Sequence, residues 1–187
     1  MIDYVVVSLA DIINQYEDLN VLEEAFQNFK CHREVDLEIF LRDKCLNYER
    51  AGNCRTFLLL DKKQLDDNSN LSIVAFFSTA TTPLDISSLG KKVRKRLHGP
   101  IPLNKDVISV FLIGQLGRND LYSKDEMPGE VIIGECFAAI ERAKQIVGGR
   151  ILLVECREHL LKFYEKHGFV GVSKSKDNLY QLYKKIA

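Results

Sequence analysis

Apolar residues recur along this chain at two periods, three-to-four and two, and the switches between them mark its elements. Ile2 to Leu9 is rich in Val and Ile and reads as a strand. From Asp11 to Phe29 the apolar positions Ile12, Ile13, Tyr16, Leu19, Leu22, Ala25 and Phe26 predict one helix. A second helical pattern carries Val35, Leu37, Phe40, Leu41, Cys45 and Tyr48 and ends at Gly52. Arg55–Leu60 and Ser72–Thr79 read as strands. The polar stretch Asp61–Asn70 between them reads as a hairpin loop, disordered over Asp66–Asn70.

Thr81–Asn104 has no clear period. Its Lys91, Lys92, Arg94, Lys95 and Arg96 form a basic run that reads as a solvated helix face before a Gly99-Pro100-Ile101-Pro102 loop, or as an anion or RNA surface. Val107–Leu116 is the most strand-like segment, and Arg118–Pro128 is a polar insert. Glu130–Val147 predicts an amphipathic helix with Ile132, Ile133, Cys136, Phe137, Ile140, Ala143 and Ile146 inward, closed by Gly148-Gly149. A strand (Arg150–Glu155), a short helix (Arg157–His167) and two strands (Phe169–Val172, Leu179–Tyr183) complete the chain. The order predicts an α/β fold, a mixed sheet with helices on both faces. No repeat, low-complexity tract or long linker interrupts it, so 1–187 reads as a single domain.

Composition narrows the function classes. Lys plus Arg and Asp plus Glu each number 26, so the formal net charge is zero. Wrapping of long nucleic acid by bulk charge is disfavoured, and a local basic patch stays open. The apolar runs are far shorter than the ~20 residues of a membrane span, and no basic n-region suggests a secretory signal. Five Cys at 31, 45, 54, 136 and 156 form no Cys-x-x-Cys pair, and the four His have no ligand spacing. Reduced packing thiols, no metal and a cytoplasmic setting are expected.

Chemistry is expected at two places. Pro128-Gly129 opens the long helix, with Lys124 just ahead. A helix N-terminus after a strand suits an anionic ligand, and glycine lets a phosphate approach; an ordinary turn is the alternative. Tyr164 lies near a short helix end, where a phenol donates a proton to a leaving thiolate or merely packs. Glu155 reads as a base or as a surface ion-pair partner.

The run Leu161-Lys-Phe-Tyr-Glu-Lys-His-Gly-Phe169, preceded by Ile151-Leu-Leu-Val-Glu155, resembles the end of a GCN5-related N-acetyltransferase, or GNAT. That family commonly carries phenylalanine-tyrosine, three residues, then glycine-phenylalanine. Val110-Phe-Leu-Ile-Gly-Gln-Leu-Gly117 is similar to its central strand, which pairs with the pantetheine arm of acetyl-CoA. Phe29–Leu41, Arg55-Thr-Phe-Leu-Leu and Val74-Ala-Phe-Phe-Ser resemble the branch of GNAT toxins that acetylate aminoacyl-tRNA.

The resemblance implies a single GNAT-like domain with a mixed, splayed central sheet. It implies direct acetyl transfer from acetyl-CoA, as cosubstrate, to an amine on a small molecule, a protein or an aminoacyl-tRNA. Leu116, Gly117 and Arg118 would flank the pantetheine through their backbone. Lys124, Gly129, Glu130 and Val131 would hold the pyrophosphate. Tyr164 would protonate the coenzyme A thiolate, and Glu155, a water chain or bulk solvent would take the amine proton. The pyrophosphate loop departs from the family pattern: Ser123-Lys-Asp-Glu-Met-Pro-Gly-Glu130 keeps only Gly129, with Lys124 in place of the usual arginine. An acyl-CoA-binding module without turnover and a toxin-like partner of an antitoxin therefore stay open, as do a tRNA partner and a homodimer.

Overall fold

The protein is described by a computed structural model over residues 1–15, 18–68, 71–99, 105–174 and 179–186. It comprises two compact units, Met1–Thr79 with Gln115–Ala139, and Ala80–Gly114 with Ile140–Ala187.

The first unit is built around strands β1 (Tyr4–Ser8), β2 (Arg55–Asp61) and the start of β3 (Ile73–Asp85). β1 runs antiparallel to β2, from Tyr4 opposite Asp61 to Ser8 opposite Phe57. β2 runs antiparallel to β3, from Arg55 opposite Thr79 to Leu60 opposite Ile73, with an irregularity after Leu59. Leu58, Leu59, Leu60 and Val74 to Phe77 are all buried, so both faces of this sheet are covered. Continuous apolar runs, in place of alternation, are the signature of such doubly covered strands. Phe76 meets Phe29 edge-on at 5.2 Å and stacks with Phe40 at 6.1 Å.

The helices of this unit correct two sequence expectations. The single helix expected over Asp11–Phe29 is two, α1 (Leu9–Gln15) and α2 (Asn20–Asn28). Tyr16 lies outside the described residues. The Asp18 carboxylate accepts from the Asn20 amide at 2.9 Å and from its side-chain nitrogen at 3.1 Å. That local competition with helical bonding opens the turn although the apolar period runs on. The expected hairpin loop holds a helix, α5 (Lys62–Asn68), including Asp66 to Asn68; 69–70 lie outside the described residues. Its first turn is held by Asp61, whose Oδ1 accepts from the Gln64 amide at 3.2 Å.

The second helical pattern is real but has three parts: α3 (Val35–Ile39), a π-helical turn (Phe40–Lys44) and α4 (Cys45–Arg50). The wider turn brings Phe40, Leu41 and Cys45 all into the core. Glu49 is buried yet satisfied, accepting from the Thr56 amide at 2.7 Å and from Arg55 at 3.0 Å.

The second unit holds the end of β3, helix α6 (Lys91–His98), most of β4 (Val107–Arg118), the end of α7 (Gly129–Val147), β5 (Ile151–Cys156), a 3₁₀ turn (Glu158–Leu160), α8 (Leu161–Lys166), β6 (Val170–Lys174) and β7 (Tyr180–Lys185). β4 pairs parallel with β5 over three positions, Phe111–Ile113 against Leu152–Val154. β7 is antiparallel to both β5 and β6. The sheet is therefore mixed, as the order of elements predicts. Leu84, Ile86, Leu97, Val110, Ile151, Leu153 and Tyr183 form this unit's core.

The inward assignment of Ile146 is wrong: it is 84% exposed, and Val147 is 70% exposed. The apolar period runs one turn past the packed face, and isolated exposed aliphatics are common. Gly148 (φ 71°) and Gly149 (φ 142°) end the helix as expected. The basic run forms the solvated helix α6, and 100–102 of the expected Gly99–Pro102 loop lie outside the described residues. No helix among the described residues is long and apolar enough to cross a membrane.

Candidate functional site

Seven of the nine expected site residues lie in the first unit, on the end of β4, the following loop and the start of α7. Gly117 is buried, and a Cβ there would sit 2.5 Å from Leu37 Cδ1. Helix α3 thus packs directly on the strand backbone, which excludes a larger side chain. Beyond the strand, Asn119 fixes the turn. Its side-chain nitrogen donates to the Ile73 carbonyl at 2.9 Å, and its Oδ1 accepts from the amides of Leu121 and Lys30 at 3.2 and 3.3 Å. Asn119 is 2% exposed and escapes motif reasoning; an asparagine just past a strand was its one signal.

Ser123 and Glu126 bond reciprocally. The Glu126 carboxylate accepts from the Ser123 amide at 2.8 Å, and Ser123 Oγ accepts from the Glu126 amide at 3.2 Å. This is a capping box, legible as Ser-x-x-Glu. The Ser123 amide and hydroxyl hold the Glu126 carboxyl below its ordinary range. The loop therefore consumes two of its own N–H groups and engages one of its carboxylates. The Pro128 carbonyl accepts from the Val131 and Ile132 amides at 3.0 and 3.5 Å. The first turn of α7 carries the positive end of the helix dipole.

Lys124, Asp125 and Glu130 are exposed. The cation brought to the loop is Arg118, whose Nη1 donates to the Met127 carbonyl at 3.3 Å. Its Nε is buried with no hydrogen-bond partner. Arg118 thus contributes its side chain, where the sequence suggested only its backbone. A buried guanidinium N–H left open beside a helix N-terminus fits an anionic group such as a pyrophosphate. If acetyl-CoA binds here, as the resemblance implies, Gly129→Asp weakens that binding at least tenfold, about 1.4 kcal/mol, by calorimetry. Gly129 has ordinary backbone angles, and Asp in a first helical turn is favourable, so the melting temperature should not fall.

The other two residues lie in the second unit. Tyr164 is 4% exposed, with Phe163 and Phe169 edge-on at 5.1 and 5.4 Å. The Tyr164 carbonyl accepts the Phe169 amide at 3.1 Å, closing the turn at Gly168 (φ 84°). Glu155 is exposed on β5 opposite Gln181, which donates to its Oε1 at 2.6 Å. Gln181 in turn accepts from Ser173 at 2.7 Å. Glu155 is thus hydrogen-bonded across the ladder in place of an ion pair.

All five cysteines are free and buried. Burial pushes Cys45 and Cys136 up to about 12, and Cys156 to about 11. Such thiols are poor nucleophiles and packing residues, as expected. Among the described residues no group of three or more side chains is placed to hold a metal.

No protein-family model matches the chain, and no curated protein does. Solved structures do. A point mutant of the toxin KacT superposes with TM-score 0.72 at 16% identity, covering 97% of this chain and 94% of that one. AtaT complexed with acetyl-methionyl-tRNAfMet gives 0.70 at 18% identity, over 96% and 94%. An AtaT mutant bound to the C-terminus of the antitoxin AtaR and acetyl-CoA gives 0.68 at 17% identity, over 98% and 93%. The chain has the α/β fold of these GNAT toxins. The resemblance first carried by Phe163-Tyr164 and Gly168-Phe169 is thereby shown at the level of fold.

Proposed function

We propose that the chain, acting as one acetyltransferase domain over 1–187, moves an acetyl group from acetyl-CoA to the α-amine of an aminoacyl-tRNA. The toxin fold supports the acetyl-CoA part. The observation that carries the RNA part is helix α6. It holds five cationic residues and no acidic one in a chain of zero net charge. Arg94 pairs with Asp106, and Arg96 donates to the Tyr183 hydroxyl at 3.3 Å. Lys91, Lys92 and Lys95 are exposed and have no acidic partner among the described residues. A basic helix with three exposed lysines lacking an acidic partner is an electrostatic footprint for phosphates.

In this reading the amine nitrogen attacks the thioester carbonyl and the C–S bond breaks. Tyr164 gives its phenolic proton to the departing thiolate, and the amine proton leaves over Glu155 to solvent. Arg118 and the first turn of α7, with Gly129, Glu130 and Val131, hold the pyrophosphate, and Lys124 stands on the loop just ahead. Leu116, Gly117 and Arg118 offer backbone to the pantetheine. Replacing Lys91, Lys92 and Lys95 with Glu should leave acetyl-CoA affinity within a few-fold. Affinity for tRNA should collapse, and the slope of log affinity against log salt should fall by about two to three, near 0.9 per phosphate contact. Equal tRNA binding by both proteins would remove α6 from the reading.

A second reading is favoured by the loop itself. Asp125, Glu126 and Glu130 crowd the expected pyrophosphate position, which suits a weak or non-turnover binder of acyl-CoA. Coenzyme A binding with no transfer to any amine distinguishes it.

A further inference from the structure

A cavity of about 240 Å³ opens in the second unit where α6 ends. Its polar lining is His98, Lys105, Ser109 and Arg150, set against the apolar wall of Leu97 and Ile151. No carboxylate lines it among the described residues; neighbouring Asp106 is taken by Arg94. Two polar atoms here, Arg150 Nε and His98 Nδ1, are buried without a hydrogen-bond partner among the described residues.

Arg150 is held from two sides. Its carbonyl accepts the Ile186 amide at 2.9 Å, which fixes the start of β5. Its guanidinium lies against Gly99 (φ 84°), where an added Cβ would stand 2.5 Å from Cζ. The positive φ requires a glycine here, and the absence of a side chain lets the Arg150 guanidinium lie against its backbone. A guanidinium stays charged at any accessible pH, so a buried N–H left unpaired is costly. Positive groups gathered without a counter-charge suit an anion, and the arginine fork matches phosphate oxygens.

We propose that this pocket seats one backbone phosphate of an RNA acceptor. The assignment rests on the proposed tRNA reading and adds to it the place where one phosphate is held. The exposed lysines stand on the same helix whose C-terminal end lines the pocket, which favours a polyanion over an isolated phosphate ion. A phosphate accepts from Arg150 Nε, from the Lys105 ammonium and from the Ser109 hydroxyl, and gives His98 a partner.

The test measures anisotropy of labelled tRNA at several salt concentrations, with parent protein and Arg150→Gln. Arg150→Gln should bind about tenfold more weakly, with the salt slope reduced by about one. Inorganic phosphate should shift the His98 ring signals in NMR spectra of the parent and leave those of the variant unmoved. Acetyl-CoA affinity should be equal in both. Parent-like tRNA affinity and slope in folded Arg150→Gln overturn the pocket and leave the acetyltransferase reading standing. A matching loss of acetyl-CoA affinity moves the phosphate to the coenzyme and overturns the RNA assignment. Absence of tRNA binding by the parent overturns the tRNA reading and this assignment together. Should Arg150→Gln fail to fold, Lys105→Gln at the exposed rim carries the same comparison, with a smaller loss and the same drop in slope.

Discussion

Tyr164→Phe should slow acetyl transfer by about 10²-fold, equivalent to about 2.7 kcal/mol in the barrier. The substitution removes one hydroxyl and keeps the ring that Phe163 and Phe169 meet edge-on. Losing a single buried hydrogen bond costs about 1 kcal/mol, which in a protein of this size lowers the melting temperature by about 2–4 °C. Activity should therefore fall far more than stability. The effect stays near the low end of the general-acid range because a thiol with pKa about 8.5 leaves readily as its anion. A pure packing role predicts the reverse, a rate within about two-fold of the parent, well below any general-acid effect. Steady-state rates on a charged tRNA, with thermal melts of both proteins, separate the two.

Gly149→Ala should be the most destabilising single-methyl change in the second unit. Gly149 has φ 142°, a region that side chains rarely enter, at a cost of about 1–3 kcal/mol. An added Cβ would also stand 2.3 Å from Phe111 Cε2 and 3.0 Å from Cδ2. Phe111 is 6% exposed on β4, opposite Leu152 in the parallel ladder, so the ring has little room to retreat. Overpacking adds about 1–3 kcal/mol. Together these predict roughly 3 kcal/mol or more, a fall of about 10 °C. Gly148→Ala is the control. It shares a positive φ, 71°, but its Cβ would meet nothing within 4 Å. It should cost about 1 kcal/mol. Similar melting temperatures for the two variants would contradict the close approach of Phe111.

The elements with strong periods were legible in the sequence. β2, β3, β4 and β5 read as strands because their apolar runs are continuous, and both Gly52 and Gly148-Gly149 marked true helix ends. An N-cap and a capping box are also written in the chain, without an apolar period to announce them. Asp61-x-x-Gln64 starts α5 where a loop was expected, and Ser123-x-x-Glu126 orders the loop ahead of α7. Both sit in polar stretches, where the absence of an apolar period outweighed the local hydrogen-bonding signal. The opposite error split α1 from α2, since the period runs straight through a turn that Asp18 holds open.

The motif residues of the candidate site stand close together in sequence, where their spacing can be read. What the chain could not display is which distant side chains meet. Arg118 reaches Met127 nine residues on, and His98, Lys105, Ser109 and Arg150 share one cavity across some fifty positions. Burial of a guanidinium N–H, as at Arg118 and Arg150, appears only once the fold is known.

The most direct measurement supplies radiolabelled acetyl-CoA and charged tRNA to the purified protein and follows the label. Label should appear on the α-amine of the aminoacyl-tRNA, with release of one equivalent of coenzyme A thiol and no label on uncharged tRNA. Tight acetyl-CoA binding without label on any aminoacyl-tRNA would contradict the acetyltransferase account and leave a coenzyme-binding module in its place.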